Sequence, residues 1–561
     1  MKGNDELINT TSSKDRQAII KSFKKVKLDL LVIGGGITGA GISLDATKRG
    51  LRTGVIEMQD FAAGTSSRST KLVHGGLRYL KQFEIGIVSE VGKERAIVYE
   101  NGPHVTSPEW MMLPFYKGGT FGPFSTNIGL RVYDYLADVK KEERRIMLKP
   151  QEALEKEPLL QSNNLMGAGY YVEYKTDDAR LTLEIMKKSI ELGTKALNYI
   201  KMIEFLYNEE DKIKGVIVED QISKEIFHIE AKYVINATGP WVDKLRDLDN
   251  SKYGKTLQLT KGVHLVFSQE TFPLRQAIYF DTPDKRMIFA IPRVNKVYIG
   301  TSDTKYEGEI THPQVTIEDR DYILHAINDM FPSLSLTPKD IESSWAGIRP
   351  LISQEGKKPS EISRKDEIFT SNSGLISMAG GKLTGYRKMA EQAVDKVTAI
   401  FKSEQNILFE KSTTKYLSLS GGDVGGSIGF VDFKIEKVNT GMALGIANSD
   451  AIYLVNQYGS NVDIIYKLYS ENEAKAKEEG INQVVLATLL YSIEYELAYT
   501  PLDYFIRRTS AMFFDIHFVK ENKETVINFM SKLLNWTDEQ RIQYRNELVT
   551  VYEESTLKNI E

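Results

Sequence analysis

The chain has 561 residues, which at about 150 per domain makes three to four units and leaves ample length for a large buried core. Hydrophobic residues at 41% and charged residues at 26% exclude a fibrous or disordered chain, and Lys+Arg 72 against Asp+Glu 76 leave a net charge of −4, so no global basic field draws nucleic acid. Cysteine is absent, which removes disulfides, thiolate metal sites, cysteine nucleophiles and a sulfur-tethered flavin, and the 7 histidines never fall at HxH or HExxH spacing, so no protein-held metal is expected and redox chemistry would need an organic cofactor.

The first 26 residues are polar and mixed in charge, with no apolar core of signal-peptide length, and are expected to form a polar N-terminal tail. Leu28 to Glu57 reads as strand, turn, helix and strand. Apolar Leu30, Leu31, Val32 and Ile33 lead into Gly34-Gly35-Gly36-Ile37-Thr38-Gly39, then a helix ending near Gly50 and a second strand from Arg52 to Ile56. Such a βαβ unit implies a parallel sheet with a right-handed crossover. Residues 231–239 read as another buried strand of that sheet running into a tight turn.

From 251 to 340 the texture is antiparallel, with strands at Leu257 to Phe267, Met287 to Pro292 and Val297 to Thr301, the last two joined by a polar turn at Arg293 to Lys296. A strand at Leu375 to Met378 then meets Gly380-Gly381-Lys382-Leu383-Thr384, a glycine turn expected to open a helix in which Met389, Ala393, Val397 and Ile400 keep helical spacing. Beyond a Gly-rich break at 421–426 the periodicity is helical. There Thr537 and Gln540 form a capping box ahead of an apolar stripe of Tyr544, Leu548, Val551 and Tyr552. No later stretch holds about 18 uninterrupted apolar residues, so the chain is expected neither to be exported by a signal peptide nor to span a membrane. Lying on a membrane surface stays open.

Gly34, Gly36 and Gly39 complete a GxGxxG between strand and helix, which lets the backbone turn sharply and approach a pyrophosphate at the helix N-terminus. Glu57, 21 residues after Gly36, is placed to bind a ribose hydroxyl. The fingerprint alone leaves NAD and FAD open. The following run, Gly64-Thr65-Ser66-Ser67-Arg68-Ser69-Thr70-Lys71-Leu72-Val73-His74-Gly75-Gly76-Leu77-Arg78-Tyr79, packs hydroxyls, glycines and basic groups beside the nucleotide; by itself it reads equally as a polar structural loop.

That run resembles the flavin-binding signature of the FAD-dependent glycerol-3-phosphate dehydrogenases and their sister oxidases, within the D-amino-acid-oxidase-like flavoproteins. Asp177 to Leu181, Asn236 to Trp241, Lys261 to His264, Gly300 to Thr304, Gly347 to Leu351 and Gly380 to Arg387 resemble the same family in the same order, over most of residues 28 to 400. The resemblance implies an α/β FAD-binding Rossmann-type domain over 27–110, 166–250 and 340–400, an α+β substrate domain over 111–165 and 251–339, and a helical C-terminal domain over 401–561. It implies non-covalent FAD held by Gly34, Gly36, Gly39, Glu57, Thr65, Ser66, Ser67, His74, Gly75, Gly76, Leu77, Thr238, Gly239, Gly381, Lys382, Leu383 and Thr384. It also implies oxidation of sn-glycerol 3-phosphate to dihydroxyacetone phosphate.

A phosphorylated alcohol needs cations and a base. Arg78, Arg349, Arg364 and Lys382 lie in or beside segments resembling the family's substrate pocket, and guanidinium forks suit phosphate oxygens. His264, which alternation turns away from Val263 and Leu265, is the expected base and acts beside Arg349; His74, in the flavin loop, is its rival and fits better as a group that orients the ring. The sister oxidases carry a middle insertion not found here, which favours a quinone over dioxygen as electron acceptor. Phe115, Tyr116, Phe121 and Phe124, with Ile128, Val132, Tyr135 and Leu136 at helical offsets around Arg131, read as an interfacial anchor or equally as a buried helix. The resulting expectation is a cytoplasmic protein, peripheral on the inner face of the cell membrane, with no nucleic-acid partner and with a homodimer left open. The alternatives are an oxidase releasing hydrogen peroxide, an amine or amino-acid oxidase, and a non-catalytic flavoprotein scaffold or sensor.

Overall fold

The computed structural model describes residues 11–74, 85–136, 139–353 and 366–560. Leu28–Ile33 is buried along its whole length because strands flank both of its edges, Thr53–Ile56 and Ile226–Asn236, each parallel to it, and helices cover the faces of the sheet. Among the described residues the first sheet continues from Ile226–Asn236 to Ile376–Ala379 and from Thr53–Ile56 to Lys195–Leu197, with Glu367–Thr370 antiparallel at the edge. The expected βαβ unit and the 231–239 strand are therefore present, joined by a buried helix at Ile37–Lys48. Helices Asp178–Glu191 and Tyr386–Gln405 pack on that helix. Met389, Ala393 and Val397 are its buried stripe, with Ile400 partly buried.

The second sheet is built around Leu257–Ser268, which pairs antiparallel with Lys296–Gly300 and Ile341–Ile352. It extends through Met287–Arg293 and Ala277–Asp281 to Thr106–Tyr116, Leu165–Thr176 and the two-residue strand Leu72–Val73. Thus the run expected beside the nucleotide contributes Leu72–Val73 to the other sheet, at its edge among the described residues, and the two domains meet along it. Leu165–Thr176, which the sequence boundaries put almost entirely in the nucleotide domain, pairs with Thr106–Tyr116 in this second sheet.

Residues 16–25, expected in a polar tail, instead form a helix that closes the first core. Ile19, Ile20 and Phe23 are buried, and Arg16 is buried against Asp220, with Nη2 2.5 Å from Oδ1. Three large apolar residues in ten are too few to stand out in a charged stretch, and a buried arginine becomes tolerable only where a distant carboxylate meets it.

The C-terminal region is helical as expected, and Thr537 caps helix Asp538–Ser555 with its box complete. It is not a free-standing appendage. Phe513 and Phe514 pack on Trp345 of the second sheet, while Arg507 and Arg508 bond Asp60 in the loop after Thr53–Ile56. Among the described residues no helix is long and apolar enough to cross a membrane.

Candidate active site

A cavity of about 1120 Å³ opens at the carboxyl ends of the parallel strands, where open α/β sheets bind ligands, and runs on to the face of the second sheet. At its nucleotide end Gly34 takes φ +113° and leaves no room for a side chain, since a Cβ there would lie 2.5 Å from the Ala237 carbonyl oxygen. Gly39 packs the helix onto the strand; its Cβ would fall 1.9 Å from Gly34 O. Glu57 accepts from Gly35 N at 2.7 Å and Gln59 N at 2.9 Å. Burial pushes its carboxyl above the usual range, and these amides oppose the shift. Gln59, Lys201 and Met202 line this end, remote from the second sheet.

Along the middle, Ser66 Oγ accepts from Ile37 N at the helix start, Thr65 Oγ1 donates to Ile348 O at 2.6 Å, and Thr238 is fixed by Asn236 Oδ1, with Gly239 beside it. At the far end stand His74, Gly381, Lys382, Leu383 and Thr384, whose hydroxyl donates to His74 O. The glycine turn does not itself start the helix, which begins at Tyr386. Gly381 N is committed to Asp366 Oδ1 at 2.9 Å, because Gly380, at φ +97°, folds the turn onto that carboxylate. Burial pushes Asp366 up to about 6, opposed by Lys382.

His264 sits opposite Gly300 and Trp345, its imidazole stacked on the indole at 4.6 Å and 11°. As alternation required, Val263 and Leu265 enter the core behind the sheet while His264 lines the cavity. Its Nε2 lies 3.1 Å from Thr70 Oγ1, and Nδ1 is buried with no protein partner. Burial, then Arg349 and Lys71, hold the ring well below the ordinary histidine range, so it is neutral at pH 7. Arg349 lies four residues beyond Trp345 on the same strand, opposite Thr260. Its Nη1 is 3.7 Å from Asp303 Oδ1, and its guanidinium passes over Gly262, where a Cβ would meet Nη2 at 3.0 Å.

Most of the expected residues thus converge. Gly39 supports the cavity from behind, and Ser67 is fully buried outside it, with its carbonyl accepting from Lys71 Nζ at 3.0 Å. Gly75, Gly76, Leu77, Arg78 and Arg364 lie outside the described residues. The sequence reading did not single out Arg68, Thr301, Asp303 or Trp345, although the first three line the cavity. Trp345 was within reach: it shares the period-two face of Gly347 and Arg349 on one strand. Its stacking on His264 needed the interstrand register.

The cavity suits FAD: a glycine cradle opening on a helix N-terminus, an acid at the ribose position, and space continuous from Gln59 to the basic groups on the second sheet. Comparison with known proteins agrees. Residues 29–387 match the family described as FAD dependent oxidoreductase, and residues 412–541 the C-terminal domain of alpha-glycerophosphate oxidase. A Bacillus subtilis protein named aerobic glycerol-3-phosphate dehydrogenase is 57% identical over 537 residues, covering 96% of this chain and 97% of the relative. One of the same name from Staphylococcus haemolyticus is 52% identical over 98% of both chains. The crystal structure of glycerol-3-phosphate dehydrogenase from Bacillus halodurans complexed with FAD superposes with a TM-score of 0.85 at 49% identity, covering 97% of this chain and 98% of that one.

Proposed function

Because the chain belongs to the FAD-dependent aerobic glycerol-3-phosphate dehydrogenase family, we propose that its cavity oxidises sn-glycerol 3-phosphate to dihydroxyacetone phosphate and passes the electrons to a quinone. The observation that carries this reading is the meeting of a neutral, buried His264 with Arg349 and Lys382 in one cavity with the nucleotide cradle.

The Gly34–Gly39 turn and the Gly380–Thr384 loop would hold FAD, which when bound would supply the two-electron acceptor. The chain's own residues do the rest. Arg349 and Lys382, with Arg68 nearby, present cationic donors to the phosphate and orient the alcohol. The His264 imidazole takes the hydroxyl proton as the carbon is oxidised, with Thr70 Oγ1 holding the ring through Nε2. His74, its carbonyl held by Thr384, orients rather than deprotonates. Replacing Arg349 or Lys382 by Met is expected to raise KM for glycerol 3-phosphate and to narrow the preference over glycerol; steady-state kinetics with both substrates checks it, and intact selectivity in both variants would refute the phosphate role.

Anaerobic titration with glycerol 3-phosphate, followed at the flavin absorbance and then by addition of quinone or oxygen, tests substrate and acceptor together. Bleaching reversed rapidly by quinone and slowly by air is expected. Rapid peroxide formation in air would instead favour an oxidase, and a flavin that no polyol phosphate bleaches would mean a non-catalytic flavoprotein.

A quinone acceptor calls for contact with a membrane, which we place on the inner face from the cytoplasm. Phe115 is buried and Tyr116 largely covered in strand Thr106–Tyr116, so neither belongs to an anchor. Helix Pro123–Leu136 buries Leu130 and Tyr133 and turns Phe124 (80% exposed), Ile128, Val132 and Tyr135 (86% exposed) outward. Helix Gly426–Ala443 likewise exposes Ile428, Val431 and Ile435, and both helices pack on Ile85–Asn101. The protein is expected to float with anionic liposomes at low salt, with less bound after Phe124→Ser and Tyr135→Ser together. Absence of association at low and high salt would refute the anchor.

A further inference from the structure

Lys71 is an unusual lysine. It is 1% exposed, yet its ammonium touches none of the cavity. Nζ donates to Asp178 Oδ1 at 2.5 Å and to Ser67 O at 3.0 Å, and it lies 5.5, 5.4 and 6.0 Å from the ring centres of Trp345, Phe513 and Phe514. Two of those rings come from the C-terminal helical region and one from the strand that carries Arg349. A strongly hydrated ammonium is costly to bury, and three aromatic faces with one carboxylate form a cage that offsets the cost.

The same carboxylate also pins the loop that Lys71 ends. Asp178 Oδ2 accepts from Ser69 N at 3.0 Å and from Ser69 Oγ at 2.7 Å. Ser69 O accepts from Trp345 Nε1, and Thr70 O accepts from Tyr298 OH. Two groups that touch the His264 ring are thereby tied to this one cluster: Trp345 beneath it and Thr70 at its Nε2.

We propose that Lys71 is a positioning residue for alcohol oxidation, acting through Asp178, Trp345 and Thr70 to hold the His264 ring in place and in its proton-accepting state. The inference rests on the assignment of His264 as base. It also gives the C-terminal region a role in the chemistry, since Phe513 and Phe514 complete the cage.

The electrostatic consequence has a definite sign. Among the described residues the charged and titratable groups around His264 include Lys71 and Asp178 behind the loop, Arg349 on the neighbouring strand, Asp303 beside that arginine, Tyr298 on the other neighbouring strand, and His74 and Lys382 in the same cavity; segment Ala511–Phe514 contributes only apolar side chains. Lys71 and Arg349 both oppose protonation of the ring. Removing the Lys71 charge makes His264 easier to protonate, so the imidazole loses its proton-accepting form at a higher pH than in the parent protein.

The test uses holoprotein labelled at histidine Cε1, with the His264 signal assigned by its disappearance in His264→Gln. Lys71→Met leaves the Asp178 carboxylate buried and unpaired, so Lys71→Met combined with Asp178→Asn is measured beside it; the amide oxygen still accepts from Ser69. The expected result is a His264 titration midpoint raised by about one pH unit or more in Lys71→Met and raised less in the double variant, which loses a negative charge along with the positive one, with bound FAD retained and the limiting rate of flavin reduction falling on the acid side over the same range. Saturating substrate keeps ionisation of the free phosphate out of that profile. His264 midpoints that superimpose on the parent in both variants would overturn the inference. A His264→Gln protein reducing its flavin at the parental rate would overturn the base assignment instead, whatever the midpoints show.

Discussion

His264→Gln is expected to slow flavin reduction by glycerol 3-phosphate by about 10²–10⁴-fold, the usual contribution of a positioned general base, while FAD stays bound. The cradle that holds the nucleotide, from Gly34 to Glu57 and across to Thr238, has no contact with this ring, whereas the proton acceptor lies wholly within it. Stopped-flow absorbance under anaerobic conditions reads the rate, and the absorbance ratio of flavin to protein reads retention. Unchanged turnover at saturating substrate would remove His264 from the role. A proportionate loss of FAD would mean that the histidine supports the fold rather than the chemistry. Glutamine fills much of the imidazole's space against Trp345, so packing is a minor part of the difference.

Arg508→Met is expected to cost about 3–5 kcal/mol of stability near pH 7, the usual result of breaking a buried ion pair from one side. Arg508 is fully buried, with Nη1 2.6 Å from Asp60 Oδ2, Nη2 3.0 Å from Asp60 Oδ1, and Nη2 2.6 Å from Glu496 O. Asp60 also takes Arg507 Nε at 2.5 Å and Asn198 Nδ2 at 2.8 Å. Burial alone would raise the Asp60 pKa, and Arg508 and Arg507 reverse this and hold it below the ordinary value. Asp60 therefore adds stability that is present above the unfolded carboxyl pKa and lost as pH falls through its lower folded value. The parent should outlast the variant in denaturant by the widest margin near neutrality, and the gap should narrow in acid, where a protonated Asp60 needs no guanidinium. A margin that stays constant down to pH 3 would assign the loss to packing instead of charge. The C-terminal helices would loosen from the nucleotide domain first, since this cluster joins them.

The helical tail thus has a physical account. Its Arg507 and Arg508 clamp the loop after Thr53–Ile56, and its Phe513 and Phe514 cover the side of Trp345 and Lys71. Neither contact carries a local signal. Two arginines in a helix ordinarily mean a solvated face, and two phenylalanines a core. The partners that tie them to the two sheets, Asp60, Lys71 and Trp345, lie more than 150 residues away and come into reach only when both sheets have formed.

Other features were settled by the sequence itself because they depend on near neighbours. Gly34, Gly36 and Gly39 lie within six residues, so the turn, the close helix–strand approach and the dinucleotide cradle follow from spacing alone. The alternation through Val263, His264 and Leu265 fixed which way the histidine faces, and Thr537 with Gln540 fixed a helix start. What only the tertiary structure decided depends on register and burial between distant segments: that Trp345 lies beneath His264, that the flavin loop contributes Leu72–Val73 to the second sheet, that Arg16 belongs to a core helix and not a tail, and that Phe115 points inward while Phe124 and Tyr135 point out. A pairing shifted by one residue would turn Trp345 or Phe115 to the opposite face of its strand, the helical residues face whatever distant segment packs on them, and no local pattern records which pairing or packing the folded chain adopts.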